Sequence, residues 1–221
     1  MLKEKETLIE KLGTWINKAA IALVINLLFL LACLPIVTIG QAWHGLMSAL
    51  RYNIRGESWF KGFRKGFKTR FWRGVIAWTL LVLLVLKMLF DLVAYLEAGL
   101  IVPAIVAAVM FALMAMLLMA FLTLNVYIPT SVGNWITNSV NMVFKAPVQL
   151  LICAGLFWAP VVMIMFWPEI AYYVSMVFVV MYFTLVGMAH TVLLKDVLVD
   201  YLVQARENGT LLAEEGALKQ E

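Results

Sequence analysis

Residues 75–95 read VIAWTLLVLLVLKMLFDLVAY, an unbroken apolar run in which only Lys87 and Asp91 carry charge. As an α-helix this run is about 31 Å long, matching the hydrocarbon core of a bilayer. Its length exceeds that of ordinary strands, and its near-total lack of polar positions leaves no face for water. The segment therefore reads as a membrane span, and the rest of the chain follows from it.

Comparable runs occupy residues 100–124, 148–166 and 170–194. The link Trp167-Pro168-Glu169 is so short that the last two form a tight antiparallel hairpin. A first span is read over about residues 19–40. Its apolar part, Ala19 to Leu34, is interrupted by Asn26 and covers only about 24 Å. Pro35 then removes a backbone donor. The span either continues through the Pro35–Gly40 break or turns back there as a re-entrant element. The expected fold is all-α: a polytopic transmembrane bundle of about five spans over residues 19–195, with amphipathic interfacial helices.

Composition supports this class. Hydrophobic residues make up 64% and charged residues 14%, against roughly 45–50% and 25% in soluble domains. Residues 51–73, the longest stretch without a strongly apolar run, are too few to bury a core of their own. Cys33 and Cys153 lie inside apolar runs without a shared local spacing, so they signal neither a disulfide framework nor a metal site. Residues 1–18 read as an amphipathic N-terminal helix carrying Leu8, Leu12 and Trp15 on one side. No A-x-A-like cleavage site follows the first apolar run, so that run is expected to be retained. Residues 196–221 read as a tail that begins helical and turns hydrophilic after Arg206.

Lys and Arg set the expected orientation. Of 17, twelve lie in the 51–73 loop, the loop after the third span and the C-terminal tail, four precede the first span, and Lys87 lies within a span. The excess places the basic loop 51–73 and the C-terminus in the cytoplasm of a multi-pass plasma-membrane protein. The side of the N-terminus depends on the Pro35–Gly40 break.

The basic loop is the most informative polar stretch. On one helical wheel Phe60, Phe63, Phe67 and Phe71 cluster, beside a stripe of Lys61, Arg64, Lys65 and Lys68, with Ser58 placed to cap the start. Such a helix lies in the headgroup layer with its aromatics toward lipid and its cations on anionic headgroups, or it docks a partner protein. Nucleic-acid binding is not expected, because the aromatics are engaged on the lipid side. Gly62 and Gly66 open a further face to close backbone approach. Lys87 and Asp91 form an i,i+4 pair within their span, where charge is costly and needs compensation. They either pair and snorkel or face a polar cavity. His44 and His190 stand alone, without a second ligand at metal spacing, and are expected to make interhelical hydrogen bonds. Residues 125–147 suggest an amphipathic helix of low charge, starting near Thr130 or Ser131 and ending before Pro147. No catalytic motif is present, and no cofactor or metal is expected.

Asn26, the run Leu34-Pro35-Ile36-Val37-Thr38-Ile39-Gly40, the turn Arg55-Gly56-Glu57 and the F-x-x-F-x-x-x-F pattern from Phe60 resemble the YesL-like family of bacterial membrane proteins. The specific part covers roughly residues 20–80. Gln41 departs from the pattern, which has a Pro or small residue there. The family has no established molecular function. Its occurrence in Gram-positive bacteria beside carbohydrate-uptake and sugar-degradation genes implies an accessory role in sugar import or its regulation. Membrane lipid and carbohydrate ABC importer subunits, or copies of the chain itself, are then the expected partners. The alternative is a small transporter or channel using the region of Lys87 and Asp91 together with Asn26 and the Pro35 break.

Overall fold

The structure, a computed structural model, describes residues 2–128, 132–177 and 181–207. Among them it has ten α-helices, one 3-10 turn and no strand. The helices are α1 (Leu2–Ala32), α2 (Ile39–Ile54), α3 (Trp59–Lys68), α4 (Phe71–Glu97), α5 (Ile101–Tyr127), α6 (Val132–Lys145), α7 (Pro147–Phe166), α8 (Pro168–Val177), α9 (Phe183–Leu193) and α10 (Lys195–Glu207), and the 3-10 turn spans Ile36–Thr38 between α1 and α2.

Helices α4, α5 and α7 are long and apolar enough to cross a membrane. Large side chains such as Leu80, Leu83, Phe90, Ile101, Val102 and Ile105 stand exposed along them. Lipid accepts such an apolar surface and water does not, so the chain is a membrane protein. The expected first and fifth spans differ from this pattern. The first is interrupted after Ala32, and its apolar part, Ile16–Ala32, is shorter than the three long spans. The fifth is described as α8 and α9, with residues 178–180 outside the described part. Even so, α9 returns beside α7 as the short link requires: Tyr182 Oη donates to the Leu156 carbonyl at 2.5 Å, and Phe183 packs edge-on against Phe157.

The N-terminal segment and the first span form one 31-residue helix. The side chains of Leu8, Leu12 and Trp15 lie outside the described residues, as do the expected start of α6 at Thr130 or Ser131 and the tail beyond Glu207.

The Pro35 break ends α1 outright. Thr38 Oγ1 lies 2.6 Å from the Ala32 carbonyl oxygen and 2.7 Å from that of Pro35, with one proton to give between them, and Trp78 Nε1 donates to the Ile36 carbonyl at 3.1 Å. The last carbonyl of α1 and two in the break thus lie against side-chain donors. The chain then resumes as α2, which packs against α1, α4, α5 and α9. Residues Gly40 to Met47, Ala49 and Leu50 are all buried, so this short helix fills the centre of the bundle.

At its far end α2 turns through Gly56, at φ +76°, into α3, and the two helices pack back to back. Gly62 and Gly66 permit the approach, as expected. A Cβ on Gly66 would lie 2.5 Å from Ser48 Cβ and 2.6 Å from the His44 carbonyl oxygen. Around Gly133 nothing lies within 4 Å. Gly66→Ala is therefore expected to cost about 1–3 kcal/mol through overpacking, seen as a lowered unfolding temperature in detergent. Gly133→Ala should leave that temperature unchanged or raised.

Candidate functional site

The sequence suggests one helix from Ser58 through Phe71. Instead α3 stops at Lys68, Thr69 is extended, and Arg70 adopts a left-handed conformation at φ +50° before α4 begins. Such a conformation costs a non-glycine residue roughly 1–2 kcal/mol. The surroundings explain why it persists. Gln41, wholly buried in α2, donates from Nε2 to the carbonyls of Phe67 and Thr69 at 2.9 and 2.7 Å, with the Gly66 carbonyl oxygen also near at 3.3 Å. Thr69 Oγ1 donates to the Lys65 carbonyl at 2.7 Å. Turned outward by the kink, the Arg70 guanidinium reaches the carbonyls of Asn125 and Ile128, each at 3.4 Å, where the end of α5 carries partial negative charge. Ser58 holds the N-cap position of α3, but its hydroxyl makes no capping bond.

The break redistributes the aromatic row. Phe63, only 6% exposed, packs onto Gly45 of α2 and stacks on Phe67 with planes 11° apart. Phe71 follows at 5.7 Å from Phe67, but on α4. The expectation that all four phenylalanines face lipid is thus corrected for Phe63, because the glycine-lined approach of α3 to α2 draws that side of the helix inward. Phe60, Ile54 and Trp72 remain exposed, and so do Lys61, Arg64, Lys65 and Lys68. These four cations and three apolar groups form the basic surface over the buried helix.

Beneath it, polar side chains join the helices. His44 meets the Asn125 side-chain amide at 3.1 Å. His190 Nε2 lies 2.6 Å from Thr123 Oγ1, which is also 2.6 Å from the Met119 carbonyl. A hydroxyl has one proton; given to that carbonyl, it leaves the oxygen to accept from a protonated Nε2. His190 is then the Nε2–H tautomer, joining α9 to α5. Asn26 Oδ1 accepts the Thr184 N–H at 3.2 Å, tying α1 to α9.

Arginines and a lysine at helix ends rest on aromatic rings: Arg51 on Tyr127, Arg73 on Trp135 and Lys145 on Tyr201, at 4.9, 4.5 and 4.7 Å. Burial of Tyr201 pushes its phenol above the ordinary value.

Lys87 and Asp91 are bonded at 2.5 Å on the outer side of α4, with side chains 62% and 33% exposed. Asn26 sits inside, against α9, and the Pro35 break rests on Trp78. Among the described residues no three His, Cys, Asp or Glu side chains are grouped to hold a metal. The interior is occupied by rings: Trp43 contacts Phe29, Phe157 and His190 edge-on. Sequence reasoning missed Arg70, and it marked Gln41 only as a departure from the family pattern, without its role at the end of α3.

These features define an α-helical membrane protein organised around a short buried helix, with a basic surface at one end. A family described as "Protein of unknown function, DUF624" matches residues 22–92, from α1 into α4, about a third of the 221-residue chain. No curated protein and no solved structure matches it.

Replacing Gln41 by Leu would leave the Phe67 and Thr69 carbonyls at the end of α3 without their donor, at about 1–3 kcal/mol for each group not rehydrated. Faster amide exchange and new proteolytic cleavage at Lys68–Arg70 are expected, while exchange in α7 stays as in the parent protein.

Proposed function

We propose that this chain is a non-catalytic accessory membrane protein that works beside a carbohydrate import system. The observation that carries the reading is the division between a filled interior and an exposed basic surface. Inside the bundle His44, His190 and Asn26 bond across helices, and the rings around Trp43 pack between them. The cations of α3, by contrast, stand outward beside Phe60 and Trp72. A protein arranged so acts through what it touches. The surplus of Lys and Arg in residues 51–73 supports a cytoplasmic position for this surface, where an importer's own cytoplasmic parts would meet it. Association with carbohydrate uptake rests on the resemblance to YesL-like proteins in the Pro35–Gly40 and Phe60–Phe71 segments.

Mild-detergent purification from the native membrane, with mass spectrometry of co-purifying proteins, tests this. The expected result is near-stoichiometric recovery of a sugar importer's permease or ATPase. Substituting Lys61, Arg64, Lys65 and Lys68 together by Gln should lower that recovery about tenfold. Recovery of the chain alone, or only with copies of itself, would sink the accessory reading. Solute flux that is abolished by Lys87→Met would move it to transport.

A further inference from the structure

Along the outward side of α4, Ile76, Leu80, Leu83, Lys87, Phe90 and Ala94 are all exposed. Their spacings alternate four, three, four, three, four, the repeat of a seam between two left-handed supercoiled helices. Lys87 takes a central seam position and Asp91 flanks the seam one residue after Phe90. A lone lysine on such a seam, beside flanking acids, fixes the register and number of helices that pair.

The chemistry at this depth asks for protein rather than lipid. Lys87 lies ten residues before the end of α4, about 15 Å along the axis. Helical side chains lean toward their own N-terminus, here away from the nearer end of the span. Hydrocarbon offers no hydrogen-bonding partner. The bond to Asp91 within the helix is one relief, yet the order Lys then acid at i,i+4 is the weaker of the two. It also uses one of three ammonium donors and part of the carboxylate's accepting capacity. Both groups remain open on the same outer side.

We propose that α4 pairs in parallel with α4 of a second copy of this chain, about a two-fold axis along the membrane normal. Lys87 of each copy bonds Asp91 of the partner subunit in addition to its own. A two-fold axis brings the same patch against itself, so one lysine and one aspartate per copy suffice for two intersubunit bonds. The charge pair is self-complementary, and the seam on either side of it is apolar.

The test uses two differently tagged copies of the full chain, co-expressed and isolated in mild detergent through one tag. Wild-type copies should co-isolate. K87D paired with itself, and D91K paired with itself, should each lose at least about fivefold. K87D co-expressed with D91K should recover, because an all-acid face then meets an all-basic one. A bond confined to one helix cannot produce that recovery. Because both charge variants load the span with like charges, a second measurement keeps the wild-type charges. In a C33S/C153S background, L83C should cross-link to a dimer on oxidation, and I105C on the exposed side of α5 should not. Monomeric wild type in lipid nanodiscs, absence of the L83C dimer, or co-isolation indifferent to all three charge combinations would each overturn the proposal.

Discussion

A helix that ends inside a membrane protein cannot leave its terminal carbonyls to water, and that constraint shapes this molecule. At three helix ends a side chain meets the terminal carbonyls. Thr38 serves the end of α1, with Trp78 on the turn that follows it, Gln41 serves α3, and Arg70 serves α5. Gln41 and Arg70 act in sequence. By holding the carbonyls of Phe67 and Thr69, Gln41 stabilises the kink at Arg70, and the kink is what carries the guanidinium to α5. An otherwise unfavourable backbone conformation at Arg70 is thus the product of two capping interactions, one on either side of it.

The same arrangement explains why α2 is buried from Gly40 to Met47 and at Ala49 and Leu50. With α3 folded over it through Gly62 and Gly66, α4 against Gly40, and α5, α7 and α9 closing the remainder, this stretch offers no face to lipid. Its polar residues are then obliged to bond across helices, as His44 does with Asn125. The neighbouring Trp43 packs against Phe157 and His190. Residues 22–92, the segment matched by the family of unknown function, contain α2, α3 and most of α4. They lack the remaining walls on which α2 rests, since Asn125, Phe157, Gly187 and His190 lie beyond that segment.

Much of this was legible in the residues and some was not, for physical reasons. The long apolar runs announce α4, α5 and α7, because hydrocarbon thickness sets a length that few soluble elements reach. Gly62 and Gly66 announce a close helix contact, and the lone histidines announce interhelical bonds, because each type has few other uses in an apolar setting. The stop at Lys68 was hidden. Nothing in Lys68-Thr69-Arg70 breaks a helix by propensity, and the decision lies with Gln41, 28 residues away from Thr69. Phe63 follows from the same cause: a helical wheel groups four phenylalanines, whereas the tertiary fold turns Phe63 inward and places Phe71 on the next helix. Pro35 announced a break after the first apolar run, but whether the helix ends there stayed open, because an apolar run records where lipid is tolerated and not where the backbone bends.

Charge placement separates the two ends of α4 in kind. At its start, Arg70 and Arg73 lie among helix ends and aromatic rings, where carbonyl dipoles and the Trp135 face compensate them. Farther along, Lys87 and Asp91 compensate each other on a side that no other described helix covers. The first pattern is that of charge used to close a fold, since its partners come from α5 and α6. The second uses no residue outside its own helix and leaves both members accessible, so it contributes little to joining the bundle. A pair that the fold does not need, set at the centre of an apolar seam, is better understood as belonging to whatever lies across that seam.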